Sequence, residues 1–456
     1  MDTSKINRRH FLKGSTALLA LTSFGASGID LFQSAKPYRV GLIGTGWYGK
    51  SDLFRLIQVA PVEVIGLCDP DKNMLSEAGA LVSQRQQSGK TPKLYNDYRE
   101  LLSENVLDIV LIGSPDHWHA LQAIDALKAG AHVYVQKPIS VDVIEGEAMV
   151  AAARKYNKVV QVGTQRKSTP HLIEAKKKFV DTGMLGKISH VEMCCYYHMR
   201  ANGNPDVQPV PDFFDYEMWT GPAPLLPYTG LPHRRWWRTM MEYGNGITGD
   251  MCVHMFDTVR WMLDLGWPNR ISATGGIYVQ KGGRSTIADT QTATFEYEEL
   301  NCVWQHRTWG TPADPEYPWA FVLYGERGTL RASTMQYDFV PLGEEGEKIH
   351  GDVVYEKEKY PEDLTEEDIE LNAAPATRIH MLDFLQAIEK GGRPVADIEE
   401  GHISTASCIL ANLSMKLQRP LVYDPQKMII VDDPEASKLL QRDYREPWTH
   451  PDPKKV

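Results

Sequence analysis

From residue 38 onward, short apolar runs alternate with amphipathic stretches. Residues 38–44 read as a buried strand, and the residues beyond Gly49 take up helical spacing as far as Val59. Further strand-like runs cover 63–69, 108–113 and 131–135, with helical spacing over 120–129. Strands that alternate with helices at this interval predict βαβ units and a doubly wound parallel sheet covered on both faces. The pattern changes at 159. A strand over 159–165, a basic helix over 174–180 and a long strand over 188–198 are followed by a stretch from 201 to 243 rich in Pro, Gly and Trp, which reads as a long ordered loop. Strand-like runs recur at 270–279, 290–297, 302–308 and 320–324 with few helices between them, which predicts an open, largely antiparallel sheet. Residues 250–263 have helical periodicity, 378–390 and 400–417 read as the last helices, and the acidic run 344–370 reads as a surface excursion. The expected fold is therefore α/β in two domains, 36–158 and 159–430, with a tail at 431–456.

Composition narrows the functional classes. The chain has 456 residues, 42% hydrophobic and 24% charged, an ordinary globular balance, and its net charge of −10 leaves no basic excess for a nucleic acid partner. The amino terminus stands apart: Asn7-Arg8-Arg9-His10-Phe11-Leu12-Lys13 runs into an apolar stretch over 16–24 and then small residues. This resembles a twin-arginine export signal, so residues 1–35 are read as signal and linker and the protein is expected in the periplasm or otherwise exported. The apolar stretch is short for a bilayer, and no membrane span is expected in the mature chain. The six cysteines show no metal-ligand spacing and read as buried thiols.

The strongest chemical signal is Gly44-Thr45-Gly46-Trp47-Tyr48-Gly49, a GxGxxG run that follows a strand and opens a helix. Asp69 lies about 20 residues on, where a dinucleotide-binding Rossmann domain places the acid that binds the adenosine ribose. The glycines admit a pyrophosphate to the positive end of the helix, and Asp69 would repel a 2′-phosphate, so NAD is expected in preference to NADP. A twin-arginine route, which carries folded proteins, suits an enzyme that loads this cofactor before export.

Two later stretches fall at the carboxyl ends of predicted parallel strands: Ser114-Pro115-Asp116-His117-Trp118-His119 and Val135-Gln136-Lys137-Pro138. With Gly163-Thr164-Gln165-Arg166, Trp219-Thr220-Gly221-Pro222-Ala223-Pro224 and the run from Gly249 to Asp257, they resemble the Gfo/Idh/MocA family of oxidoreductases over nearly the whole mature chain. The resemblance implies an NAD-dependent oxidoreductase that moves a hydride to or from a hydroxyl-bearing carbon of a sugar, glycoside or polyol. It implies cofactor contacts from Ser114, Pro115, His119, Gln136, Lys137 and Gln165. Where the family has Glu-Lys-Pro this chain has Gln136-Lys137-Pro138, and Gln136 is expected at a ribose hydroxyl, with Glu tolerated in its place.

The resemblance also assigns catalysis to Lys137, Asp250 and His254. The four-residue spacing of Asp250 and His254 on a predicted helix puts both on one face, so Asp250 is expected to orient His254 and bind a substrate hydroxyl. His254 would exchange the hydroxyl proton and Lys137 would offset charge developing on oxygen. Arg166, His233, Trp237 and Arg238 are expected to bind substrate, since aromatic faces and arginines suit a carbohydrate cleft. No metal site is expected: His117, His119, Asp250 and His254 could cluster only through folding. The alternatives are a glycosidase acting through transient oxidation by NAD and a non-catalytic sugar or dinucleotide sensor. An open sheet face would favour a homo-oligomer. One outcome follows from the leader alone: changing both Arg8 and Arg9 to Lys should hold folded precursor in the cytoplasm of the native host, and undiminished export would remove the twin-arginine reading.

Overall fold

The computed structural model describes residues 36–197, 199–231, 233, 235–343, 347–364 and 369–456. The twin-arginine stretch, within 1–35, lies outside the described residues. The first sheet is built from β1 (Tyr38–Ile43), α1 (Trp47–Val59), β2 (Val62–Cys68), α2 (Lys72–Arg85), β3 (Lys93–Tyr95), α3 (Tyr98–Glu104), β4 (Ile109–Ile112), α4 (His119–Lys128), β5 (His132–Val135), α5 (Val143–Lys155) and β6 (Val160–Val162). Its six strands are all parallel in the order β3-β2-β1-β4-β5-β6. Every position of β4 is buried, as a parallel sheet covered on both faces requires. The order reverses between β1 and β4, which opens a crevice at their carboxyl ends.

The second sheet has eight strands. After α6 (Pro170–Ala175) come β7 (Ile188–Cys195), α7 (Tyr216–Thr220), α8 (Val253–Leu263), β8 (Arg270–Gly276), β9 (Thr290–Glu296), β10 (Asn301–Arg307), β11 (Trp319–Gly325), β12 (Gly328–Ser333), β13 (Gln336–Pro341) and β14 (Ile349–Asp352). They lie in the order β14-β13-β12-β11-β7-β10-β9-β8, antiparallel throughout except where β7 meets β10. Burial alternates along β9 and β10, so Cys302 and Trp304 enter the core while Gln305 faces solvent. The inner face packs on α8 and the last long helix, with Phe256 stacked on Phe295 at 4.2 Å. The two-domain α/β architecture thus agrees with the sequence pattern, and among the described residues no helix is long and apolar enough to cross a membrane.

Three boundaries differ from the expectation. The run at 159–165 does not open the second domain, because β6 pairs in parallel with β5 and closes the first sheet. The helices α9 (Ala374–Lys390) and α10 (Ile398–Leu417) return to the first domain: Met381, Phe384 and Leu385 share a core with Val40, Leu42 and Leu53, and Ile398 enters the core on the opposite face. The acidic run 344–370 is more than a surface excursion. Asp363 reaches the buried guanidiniums of Arg55 at 2.9 Å and Arg378 at 2.8 Å.

The segment after 431 is also no free tail. Arg442 donates to the carbonyls of Met241 and Gly244 and to Asn245, while its own N–H donates to Asp142. His450 meets Asp142 at 2.9 Å and Tyr444 donates to Glu145. A chain-order reading assigns a terminal segment to the nearest domain, whereas here buried polar groups at the start of α5 and in the 241–245 loop supply hydrogen-bond partners to this segment.

Candidate active site

The Gly-rich turn shows why its glycines are required. Gly44 has φ +88°, and a Cβ there would lie 2.4 Å from the Ser114 nitrogen, while a Cβ on Gly49 would lie 1.9 Å from the Gly44 carbonyl oxygen. Such closeness draws the start of α1 against the ends of β1 and β4. Gly46 caps α1 without a side-chain partner and its first turn carries no acid, so its terminal N–H groups remain available to an anion. Before them lies a cavity of about 330 Å3 walled by Gly44, Gly46, Trp47, Tyr48, Asp69, Ser114 and Pro115 on one side and by Trp219, Trp237 and Arg238 on the other.

Asp69 lies on the cavity wall, but its oxygens already accept from the Thr45 N–H and hydroxyl and from the Asp71 N–H. Burial raises its pKa to about 6 against those three donors. Thr45, fully buried, is therefore the brace that aims Asp69 rather than a direct cofactor ligand. A close-approach turn, an uncapped helix terminus and a buried carboxylate together fit a dinucleotide, with Asp69 toward a ribose and α1 toward the pyrophosphate.

Several expected cofactor contacts sit one layer back. The His119 ring lies 2.8 Å from the Ser114 carbonyl and 2.7 Å from that of Pro138, so it braces two strand ends from a buried position. Gln165 is fully buried and donates to the Tyr48 hydroxyl at 3.4 Å. Gln136 is turned away from the cavity. Its carboxamide donates to Asp52 at 2.6 Å and accepts from the Lys137 N–H. Asp52, on α1, thus takes up the carboxamide that was expected at a ribose hydroxyl.

At the far end of the cavity two domains meet. The Lys137 ammonium, at the end of β5, donates to the carboxylate of Asp250 and, at 3.0 Å, to its carbonyl oxygen, and both side chains are nearly excluded from solvent. Arg238, from the cavity wall, places its Nε 3.8 Å from the same carboxylate. Burial works against the charge of Asp250, but Lys137 and Arg238 outweigh it and hold the carboxyl below its usual range. Neighbouring Asp116 goes the other way: burial pushes it well above a normal aspartate, despite Arg238.

The expected Asp250–His254 pairing is not formed. Residues Thr248–Cys252 make a π turn before α8 begins at Val253. The carboxylate of Asp250 is taken up by Lys137 from the first domain. His254 instead sets its ring edge-on to Trp319 at 5.4 Å, and its Nδ1 has no hydrogen-bond partner among the described residues. Burial, with the charges of Lys137 and Arg166, depresses its pKa well below the ordinary histidine value, so the imidazole is neutral and able to accept a proton.

The expected substrate residues divide. Trp237 is buried in the cavity wall with Arg238 stacked over it at 4.2 Å, while its neighbour Trp236 is exposed. Arg166 lies over Trp319 at 5.5 Å, the ring on which His254 also packs. His233 lines the same cavity as Trp237 and Arg238 but at its Asp69 end, where it stacks on Phe214 at 4.0 Å and meets Asp71 at 2.8 Å. Asp71, Asp52 and Trp319 were not singled out in the sequence. Asp71 carried a signal, since an acid immediately before a helical stretch is a cap, and it does cap α2. Trp319, at the edge of a strand pattern, carried none.

Comparison with known proteins agrees with this architecture. A family model described as an oxidoreductase family NAD-binding Rossmann fold matches residues 38–164, a GFO/IDH/MocA C-terminal domain matches 225–331, and an oxidoreductase family C-terminal alpha/beta domain matches 347–450. The chain is 29% identical over 220 residues to an alpha-N-acetylgalactosaminidase of Shewanella oneidensis, covering 43% of this chain and 47% of that one. It is 30% identical over 318 residues to a glycosyl hydrolase family 109 protein of Shewanella sp. (strain MR-4), covering 56% and 67%. The match thus spans about half the length of the first of these relatives. In structure it is similar to levoglucosan dehydrogenase in complex with NADH and levoglucosan, with a TM-score of 0.63 and 18% identity over 87% of this chain and 100% of that one, a likeness of fold.

Two outcomes follow from the geometry. Charged Asp69 is the better acceptor for ribose hydroxyls, so NAD binding should release its proton: affinity should weaken as pH falls through about 6 and stay level above it. In Asp69→Ala, NAD should bind more weakly and NADP should gain relative to it, as titrations of both cofactors would show; a wild type that binds NADP as tightly contradicts the assignment. Gln136→Glu should not be neutral, because burial already raises Asp52 to about 7 and a second carboxyl 2.6 Å away must share its proton. A carboxyl with a raised folded pKa loses stability as pH rises. The variant should be less stable by roughly 2–4 kcal/mol at about pH 8 and closer to wild type at about pH 5, by thermal unfolding.

Proposed function

The chain belongs to the Gfo/Idh/MocA oxidoreductase family, with an NAD-binding amino-terminal domain, and from that premise we propose that it is an NAD-dependent oxidoreductase acting on a hydroxyl-bearing carbon of a sugar, glycoside or polyol. The observation that carries the proposal is the meeting of Lys137 from the first domain with Asp250 from the second, beside a buried neutral His254.

Bound NAD supplies the hydride acceptor. The residues of this chain do the remainder. His254 takes the hydroxyl proton, and its depressed basicity keeps it unprotonated and ready over a wide pH range. Lys137 faces the oxygen on which charge develops, and because Asp250 fixes its ammonium through two contacts the charge is in place before reaction. Asp250 positions Lys137 and accepts from a substrate hydroxyl. Trp237 and Arg238 wall the passage between cofactor and substrate and exclude water.

A second reading is favoured by the relatives named as glycosidases: the same groups could cleave a glycoside through transient oxidation, returning NAD unchanged. Product analysis separates the two, since net oxidation yields one reduced cofactor per keto product and hydrolysis yields free sugar with none. Export by the Arg8-Arg9 leader and pairing of copies through the open face of the second sheet complete the proposal.

His254→Ala should lower turnover of an active sugar by about 10²- to 10⁴-fold with NAD affinity unchanged. Lys137→Ala should reduce turnover more than substrate affinity and should also lower the melting temperature, because it leaves Asp250 buried without its partner. Near-wild-type turnover in folded His254→Ala would sink the mechanism. So would an inflection in the wild-type rate near the ordinary histidine value of 6.5 that vanishes in that variant.

A further inference from the structure

Five arginines are buried: Arg55, Arg166, Arg200, Arg260 and Arg378. Arg55 and Arg378 reach Asp363, Arg260 reaches Glu400 and Ser404, and Arg200 donates to three backbone carbonyls and Asn202. Arg166 alone among these has no hydrogen-bond acceptor and no carboxylate within 4.0 Å among the described residues, although it is only 6% exposed. Its one recorded partner is the face of Trp319. A largely buried guanidinium with no acceptor is costly, and where each of the other four finds a carboxylate or a carbonyl, a bound anion would meet the same need here.

The position identifies the ligand. His254 packs on the same Trp319, and the preceding residue, Gln165, donates to Tyr48 on the cofactor cavity. Arg166 therefore stands beside the proton acceptor, on the substrate's side of the cofactor. Its guanidinium lies over Trp319, and the titratable groups that feel its charge are His254, His171, Tyr48, Tyr197 and Tyr355, none of them an anion at neutral pH. Lys137 and Arg238 are already turned to Asp250 and Arg235 lies over Trp47 at the α1 end of the cavity, so among the described residues Arg166 is the guanidinium beside Trp319 and His254 without an acceptor. One planar fork matches one planar carboxylate; a phosphate dianion would call for a second free cation.

We propose that Arg166 binds a carboxylate on the substrate, so that the preferred substrate is an acidic sugar, such as a hexuronate or its glycoside, over its neutral counterpart. The proposal rests on the sugar oxidoreductase reading and specifies its substrate class.

Binding to the NADH-loaded enzyme tests it without turnover. Calorimetric titration with matched pairs, glucuronate against glucose and galacturonate against galactose, with the hexose 6-phosphates as a third arm, should show at least one uronate bound about tenfold or more tighter than its neutral partner. The advantage should collapse in Arg166→Gln and survive in part in Arg166→Lys, and Arg166→Gln should melt no lower than wild type because it removes an unmatched buried charge. Equal affinity within both pairs, no detectable uronate binding, tighter binding of the phosphates, or an advantage untouched by Arg166→Gln each overturn the proposal. The parent reading fails differently: no reduced cofactor and no free sugar from any acidic or neutral substrate would refute it, whatever the binding ratios.

Discussion

The buried pair between Lys137 and Asp250 is the constraint around which the molecule is arranged. Each partner comes from a different domain, and removing either would leave the other as an uncompensated buried charge, a loss on the order of several kcal/mol. Ion pairs of this kind add little net stability over apolar packing but are unforgiving about geometry. The strand end that carries Lys137 must therefore meet the π turn that carries Asp250 in one arrangement, and the surrounding polar groups enforce it. His119 ties the two strand ends of the first sheet together, His117 reaches the Trp219 carbonyl in the loop region, and Arg442 closes over the 241–245 loop from behind.

A second buried pair supports the first from below. Lys167 meets Asp257 at 3.1 Å with both side chains almost wholly excluded from solvent, and Ser404 on α10 donates to the same carboxylate. This joins the turn after β6 to α8 and α10. Gln165 and Arg166 stand on that turn, so the residues that meet Tyr48 and Trp319 from this side are placed by a buried charge pair. The return of α9 and α10 to the first domain serves the same end, since they pack on both faces of the first sheet while anchoring the helix beneath the second.

What the sequence made legible was whatever depends on local period and on turn chemistry. The βαβ alternation, the Gly-rich turn with Asp69, and the switch to antiparallel strands beyond β7 all express themselves within one element and its neighbours. What it concealed depends on contacts far apart in the chain. Gln136 was read against its motif, but its role is set by Asp52, 84 positions away. Asp250 and His254 were read as a pair from their spacing, but the partner of Asp250 is Lys137, 113 positions away. His233 was grouped with Trp237 and Arg238 because they are adjacent in sequence, yet the chain turns between them and sends the histidine to Asp71. The packing of α9 on α1 joins residues some three hundred positions apart, beyond the reach of any periodicity argument.

The departure of Asp250 from His254 changes what each can contribute. A histidine hydrogen-bonded to a carboxylate has its imidazolium stabilised and its basicity raised. His254 has no such partner, and the cations around it act in the opposite direction, so it accepts a proton only where a developing negative charge nearby compensates. That charge arises on the substrate oxygen as the hydride departs. The base is thus weak in the resting site and strengthened by the reaction itself, while the carboxylate that might have stabilised its protonated form is committed to Lys137. An anionic substrate group at Arg166 would act in the same sense, since neutralising that guanidinium lifts one of the two charges that depress His254. Substrate recognition and proton transfer then become linked through a single buried arginine.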